Sequence, residues 1–368
     1  MKILYITTIG ITMRFFESFI KRQLDIGNQV DIATNENDGE DEVPACYREW
    51  NCKIFHIDTS RSPVSFSNVR AIKQIRDLVG NNQYDIVHCH TPIAAAVTRL
   101  ACKKIRKNGL SVIYTAHGFH FYEGAPLKNW LIYYPIEKIL SKYTDVLITI
   151  NKEDYNRAKK NFFANRIEYI PGVGLDIEKF NLNNGRNKIR KELDIDDDRI
   201  MLLSVGELNK NKNHESVIRA ISGLQNLTYV VVGKGELRDR LVHIAQECKV
   251  DLRLMGYRDD VADFYKAADV YILPSIREGL NVSLMEAMAS SLVCLASRVR
   301  GNVDLLDEKY GEYLFNPKCV GEIKCIVKRI LQNSLNEKRH IGRQNRKEIM
   351  KFDMQIVGEK LGEVYKRQ

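Results

Sequence analysis

Short apolar runs of strand length alternate with amphipathic stretches from the first residues onward. Residues 2–7, 29–34, 53–58, 85–89, 111–116 and 145–150 read as strands, and 14–26, 66–80 and 92–107 carry helical spacing between them. Strand and helix in such alternation predict a parallel sheet covered by helices on both faces. The pattern then begins again. Beyond Pro171-Gly172 and a polar, charge-dense stretch ending near Arg199, strands are expected at 200–205, 228–232, 251–255, 269–273 and 292–296. Amphipathic stretches at 319–333 and 337–350 and a short helix at 354–366 follow. The expected fold is α/β, with two Rossmann-like doubly wound domains, 1–175 and 200–353, joined by a linker region at 176–199. Such sheets bind ligands beyond the carboxyl ends of their strands, so a cleft between the two sets of strand ends is the expected site.

The most informative stretch is Pro274-Ser275-Ile276-Arg277-Glu278-Gly279-Leu280-Asn281-Val282-Ser283-Leu284-Met285-Glu286-Ala287-Met288-Ala289. The apolar run 270–273 stops at Pro274, and helical spacing opens at Asn281, a residue type suited to an N-cap. Strand, tight loop and helix are therefore expected. Glu278 falls in the loop beside Gly279, and Glu286 lies about one and a half turns into the helix. Backbone N–H groups at the helix start suit an anion, and each carboxylate can accept hydroxyl hydrogen bonds. A ligand with a phosphate in the middle and hydroxyls at both ends has the shape of a nucleotide-sugar.

Charge and cysteine usage narrow the class. The chain has 368 residues, with 56 basic and 47 acidic side chains and a formal net charge of +9. It has no long block of like charge, which argues against disordered nucleic-acid tails and leaves open a basic face for anionic lipid or phosphorylated substrates. Eight cysteines include no C-x-x-C pair, so a reducing compartment without structural zinc is expected. Met1-Lys2 runs straight into Ile3-Leu4-Tyr5-Ile6 without a signal-peptide pattern, and no apolar run approaches the ~18 residues of a spanning helix. The expected location is cytoplasmic, with peripheral contact at the inner face of the cell membrane.

Other motifs have two readings each. Val232-Gly233-Lys234-Gly235 lacks a third glycine at Arg238 and an acid ending the next strand, which speaks against a nicotinamide dinucleotide. A phosphate or sugar contact and plain helix packing remain. Lys210 and Lys212, after the first strand of the second domain, stand where a diphosphate leaving group develops charge, or are solvated loop lysines. His88 and His90 end one strand without a clear third metal ligand, which favours cleft lining over coordination. His117-Gly118 ends the next strand, as a sugar or acceptor contact or as a satisfied structural histidine. The aromatic stretch 119–134, with Lys128, Lys138 and Lys142 around it, fits core packing or a membrane interface. Arg99, Lys103 and Arg106 share one helix face, as a solvated face or a lipid-phosphate site. Asp194 and Asp196 to Asp198 read as turn and capping residues.

Taken together, these segments resemble glycosyltransferase family 4, retaining enzymes of the GT-B architecture, over nearly the whole chain. The E-x7-E pair Glu278 and Glu286 is the most specific element. The resemblance implies that Glu278 faces the donor sugar, Glu286 the ribose, and the amides around Gly279, Leu280, Asn281 and Val282 the diphosphate. Gly256, Tyr257 and Val261 would line the base pocket, with Gly206, Gly233 and Gly235 nearby. On the first domain, Gly10 to Arg14 and His117 would close over the sugar and phosphate, and His88, His90, His120 and Tyr122 would lie on the acceptor side. The helix 354–368 would pack back on the first domain. Lys212 matches the usual lysine, whereas Glu207 replaces the usual arginine, leaving Lys210 or the helix dipole to substitute. His117-Gly118-Phe119-His120-Phe121-Tyr122 and Val205-Gly206-Glu207-Leu208-Asn209 resemble a subgroup of bacterial capsule and exopolysaccharide transferases.

The resemblance implies a retaining hexosyl or N-acetylhexosaminyl transferase that uses a nucleotide-sugar, foremost a UDP-sugar, and a saccharide linked to polyprenyl diphosphate. It implies no metal and no cofactor, with Glu278, His117 and Lys212 as the catalytic set. A sugar-nucleotide epimerase of the same architecture, a nicotinamide oxidoreductase and a non-catalytic nucleotide-sugar-binding module are the alternatives.

Overall fold

The computed structural model describes residues 1–36, 42–172, 174–180, 186–306 and 313–367. They form two compact units, Met1–Gly174 with the segment from Met354 onward, and Leu175–Asp353.

The first unit holds strands β1 (Lys2–Ile9), β2 (Gln29–Asn35), β3 (Ile54–His56), β4 (Ile86–His90), β5 (Ser111–Ala116), β6 (Val146–Thr149) and β7 (Arg166–Tyr169). They form one parallel sheet in the order β3-β2-β1-β4-β5-β6-β7. Its helices are α1 (Glu17–Asp25), α2 (Cys46–Glu49), α3 (Ser67–Asn82), α4 (Pro92–Cys102), α5 (Leu127–Leu140) and α6 (Lys152–Asn161). Every residue of β4, β5 and β6 is buried. Strands covered on both faces are written as near-continuous apolar runs, which is why they stand out in the sequence. Strand β7, Arg-Ile-Glu-Tyr, lies at the sheet edge and is only half-buried, so it lacks that signature.

The second unit opens with α7 (Arg186–Glu192), followed by strands β8 (Ile200–Val205), β9 (Leu227–Val232), β10 (Leu252–Leu254), β11 (Val270–Leu273), β12 (Val293–Ser297) and β13 (Leu314–Phe315). Between and after them lie α8 (His214–Ile221), α9 (Arg238–Glu247), α10 (Val261–Ala267), α11 (Val282–Ala289), α12 (Asn302–Leu305), α13 (Val320–Gln332) and α14 (Leu335–Ile349). The sheet is parallel in the order β10-β9-β8-β11-β12-β13. In both units the strand order reverses beside the first strand, at β1/β4 and at β8/β11, and loops at such reversals carry the ligand chemistry of this architecture.

The expected linker at 176–199 is corrected by the structure, except at 181–185, which lie outside the described residues. Phe180, Ile189, Leu193 and Ile195 are buried in the core of the second unit. Arg190 is 2% exposed, donates to the Ala267 carbonyl and pairs with Asp269. Charged residues around a few apolar positions gave the stretch the look of a linker, although those apolar positions anchor it. The final helix, α15 (Met354–Lys366), belongs to the first unit; residue 368 of the expected helix lies outside the described residues. Its Val357, Val364 and Tyr365 join Ile3, Tyr5 and Ile20 in one buried cluster.

Candidate functional site

The loop between β11 and α11 is fixed from several sides. Asn281 caps α11 by accepting the Leu284 N–H at 2.9 Å, and Ser283 Oγ lies 2.7 Å from the Tyr271 hydroxyl. The Ile276 N–H donates to the Asn211 carbonyl at 2.8 Å, the Asn211 amide to the Arg277 carbonyl at 3.0 Å, and the Asn213 amide to the Pro274 carbonyl at 3.2 Å. Arg300 Nε donates to the Glu278 carbonyl at 3.1 Å. The loops after β8 and β11 are thus tied together, and Glu278 is held at the backbone rather than left on a swinging tip.

The two carboxylates sit in different surroundings. Lys212 Nζ lies 2.7 Å from Glu278 Oε1, with side chains 17% and 12% exposed. The lysine expected on a diphosphate is therefore already ion-paired with the carboxylate expected on the sugar. Glu286, one turn into α11, accepts the Tyr265 hydroxyl at 2.8 Å. Burial pushes its carboxyl above the usual carboxylate range, against the opposing effects of the Tyr265 hydrogen bond and Lys179.

Beside them is a cavity of 770 Å³ lined by Gly206, Glu207, Gly233, Gly235, Tyr257 and Val261, among others. The glycines are there for backbone proximity. A Cβ on Gly233, whose φ is +153°, would sit 1.9 Å from the Gly206 carbonyl oxygen, and one on Gly235 would sit 2.4 Å from the Leu208 carbonyl oxygen. Close packing of the two loops thus requires glycine at both positions, and it is that packing which shapes the cavity wall. Gly256 stands behind this wall, its carbonyl accepting the Gly233 N–H at 2.8 Å. Lys210 does not join the group: it lines a second cavity, of 410 Å³, with Asn213 and Arg240. A turn closed by the Lys212 N–H on Asn209 Oδ1, at 2.9 Å, sends the two lysines different ways.

On the first unit, two expected acceptor-side histidines are corrected. His88 is fully buried, with Nδ1 2.6 Å from the Tyr365 hydroxyl and Nε2 2.8 Å from Thr115 Oγ1. His90 is 2% exposed, its ring stacked on Tyr5 and close to Phe16, and its Nδ1 lies 3.1 Å from His117 Nε2. Spacing placed the two imidazoles on one strand face, but helices cover that face. His117, at the end of β5, is exposed. His120 stacks on Tyr133 and lines a cavity of 230 Å³ with Thr8, Thr12, Arg61 and Thr91, whereas the half-buried Tyr122 is not part of that wall. The expected loop from Gly10 to Arg14 is a 3-10 segment, Gly10–Phe16, in which Gly10 is buried and Arg14 exposed. Among the described residues no group of three or more His, Cys, Asp and Glu side chains is arranged to hold a metal ion.

With this geometry in hand, comparison with known proteins identifies the family. Residues 2–151 match the glycosyl transferase 4-like family and residues 185–348 the glycosyl transferases group 1 family. EpsD of Bacillus subtilis (strain 168), a glycosyltransferase by designation, is 32% identical over 376 residues, which span 99% of this chain and 96% of EpsD. The chain belongs to the family 4 glycosyltransferases. A second relative, the UDP-Gal:alpha-D-GlcNAc-diphosphoundecaprenol alpha-1,3-galactosyltransferase of Escherichia coli, is 31% identical over 272 residues, 68% of this chain and 69% of the relative. The fold of this family 4 transferase is GT-B: Anabaena HepE, solved with UDP and glucose, matches it with a TM-score of 0.82 at 15% identity, covering 100% of both chains.

Several residues of this glycosyltransferase escape sequence reasoning. Tyr265 and Arg300 reach Glu286 and the Glu278 backbone from distant segments, so no local spacing marks them. Asn211 and Asn213 stand on either side of Lys212 in the chain, but nothing in that run marks their hold on the 274–278 loop. The shared basic face expected of Arg99, Lys103 and Arg106 is also corrected, because Arg99 alone of the three lies within α4 and Lys103 alone is exposed. Arg99 is 1% exposed, pairs with Glu137 at 2.8 Å and lies over the Tyr114 ring, and Arg106 pairs with Asp145.

Proposed function

We propose that this glycosyltransferase moves a sugar from a uridine diphosphate sugar to a lipid-linked saccharide, with retention and without a metal, in the synthesis of a bacterial surface polysaccharide. The observation that carries the reading is a pair of carboxylates flanking the capped start of α11, one ion-paired with Lys212, beside a cavity edged by Tyr257 and Val261. Uracil occupies that cavity and Glu286 accepts ribose hydroxyls. The N–H groups at the start of α11 meet the diphosphate. Glu278 accepts hydroxyl hydrogen bonds from the sugar, and Lys212 shifts from the carboxylate toward the oxygen on which charge develops. The bond from the anomeric carbon to the diphosphate oxygen breaks as the acceptor oxygen bonds to that carbon on the same face. The acceptor proton passes to the departing diphosphate. His117 contacts an oxygen of the reacting sugar or phosphate. The donor and acceptor in the Escherichia coli relative's name, and the UDP in the HepE structure, support these substrate classes.

Peripheral membrane contact follows from α5 in the same reading. Leu127, Leu131, Ile132, Ile136 and Ile139 are all exposed on it, and Lys138 and Lys142 lie over the ring of exposed Phe163 at 5.6 and 5.0 Å. An apolar face bordered by lysines suits an anionic lipid surface. Among the described residues no helix is long and apolar enough to cross a membrane.

The test is calorimetric titration with UDP, GDP and ADP, followed by UDP-sugars with a polyprenyl-diphosphate saccharide. UDP binding and sugar transfer are expected. Preference for GDP or ADP would overturn the donor assignment, and sugar turnover without any acceptor would overturn transfer.

A further inference from the structure

The pair His90 and His117 has a direction. His90 Nε2 is buried and meets no hydrogen-bond partner among the described residues, while Nδ1 lies 3.1 Å from His117 Nε2. A neutral imidazole carries one proton, and on His90 its two positions are unequal. At Nε2 it would be a buried donor without an acceptor; at Nδ1 it is donated to His117. Protonating both nitrogens would again strand a buried donor, and burial among His88, Tyr5 and Phe16 disfavours the cation further. His90 is therefore neutral, with its proton on Nδ1.

We infer that His90 is a positioning residue: by donating Nδ1–H to His117 Nε2 it fixes His117 as the Nδ1–H tautomer and presents that N–H as a donor to a substrate oxygen. The inference rests on the reading that His117 contacts the reacting sugar or phosphate. The mechanism so far makes no use of a buried, aromatic-stacked imidazole at the end of β4, and a phenyl ring would fill the place without stranding Nε2. What a phenyl ring lacks is the donor. His90 thus acts on chemistry through the tautomer of its neighbour and touches no substrate itself.

Two variants separate this role from packing. His90→Phe keeps the ring between Tyr5 and Phe16 and removes the donor; His90→Asn places an amide N–H near the Nδ1 position. Long-range proton–nitrogen spectra of protein labelled at its eight histidines distinguish the two neutral tautomers of each ring, with His117 assigned by His117→Gln. Wild type and His90→Asn are expected to show His117 as Nδ1–H, and His90→Phe to shift it toward Nε2–H. Turnover of UDP-sugar should fall about ten-fold in His90→Phe, the scale of one lost hydrogen bond, at an unchanged or higher Tm, and recover most of that in His90→Asn. An Nε2–H tautomer on His117 in the wild type overturns the inference. Full turnover in His90→Phe beside an impaired His117→Gln overturns the positioning role while leaving His117 as a contact. Full turnover in His117→Gln, with the tautomer as expected, removes the reading of His117 on which the role rests.

Discussion

At the scale of single residues, the two carboxylates on either side of the start of α11 are set up for different work. Glu286 is held by a hydroxyl and partly desolvated, so its charge is unfavourable until a ligand brings more donors. Glu286→Gln should weaken UDP binding by about 1.5–3 kcal/mol, the worth of hydrogen bonds to a charged acceptor, as read by calorimetry. The same change should raise the thermal stability of the ligand-free protein near neutral pH. The sign follows from linkage: a carboxyl whose pKa is raised on folding binds more protons in the native state, so its ionisation removes stability as pH climbs from the unfolded value through the folded one. Below the ordinary carboxylate range the two proteins should melt alike. Glu278 and Lys212 form the contrasting case, a closely matched pair with little solvent around it. Glu278→Gln and Lys212→Met should each destabilise the second unit, and the double variant should lose less than the sum, with a coupling of about 0.5–3 kcal/mol in urea denaturation. Glu278, Gly279, Asn281 and Glu286 were legible because loop, cap and helix follow one another along the chain. Tyr265, Arg300 and the His90–His117 contact were not, because each joins segments that only the sheet brings side by side.

At the scale of elements, two strand-to-helix turns determine the shape of the 770 Å³ cavity in the second unit. Gly235 packs against the backbone of Leu208, with no room for a Cβ. Gly235→Ala should force the loops apart and destabilise the second unit by about 1–3 kcal/mol, measured by chemical denaturation, and should weaken UDP binding as well. Helix α5 is the opposite kind of element, with large apolar side chains facing outward. Leu131→Glu with Ile139→Glu should leave Tm and turnover with a water-soluble acceptor unchanged while reducing cosedimentation with anionic vesicles; undiminished cosedimentation would move the lipid contact elsewhere. The helix–strand alternation was readable wherever strands are buried on both faces, as β4 and β5 are. It was not readable for the half-buried β7 or the two-residue β13, nor for the segment around α7, whose few core anchors are outnumbered by charges.

At the scale of the whole molecule, the first unit is discontinuous in sequence and the second is one continuous stretch. Tyr365 on α15 closes the first unit's core, its hydroxyl 2.8 Å from that of Tyr5 and 2.6 Å from His88 Nδ1. Tyr365→Phe leaves both groups buried and unpaired and should destabilise that unit by about 1–3 kcal/mol. Hydrogen exchange should quicken in peptides of β1 and β4 and stay unchanged in those of β8 and β11. Timing during translation follows from the same closure. A ribosome delivers β1 and β4 early, yet the side chain that satisfies Tyr5 and His88 emerges only after all of Leu175–Asp353 has been made. The unit begun first is therefore finished last, and any chain interrupted within the second unit leaves two unsatisfied polar groups in the first, a defect that quality-control proteases can recognise.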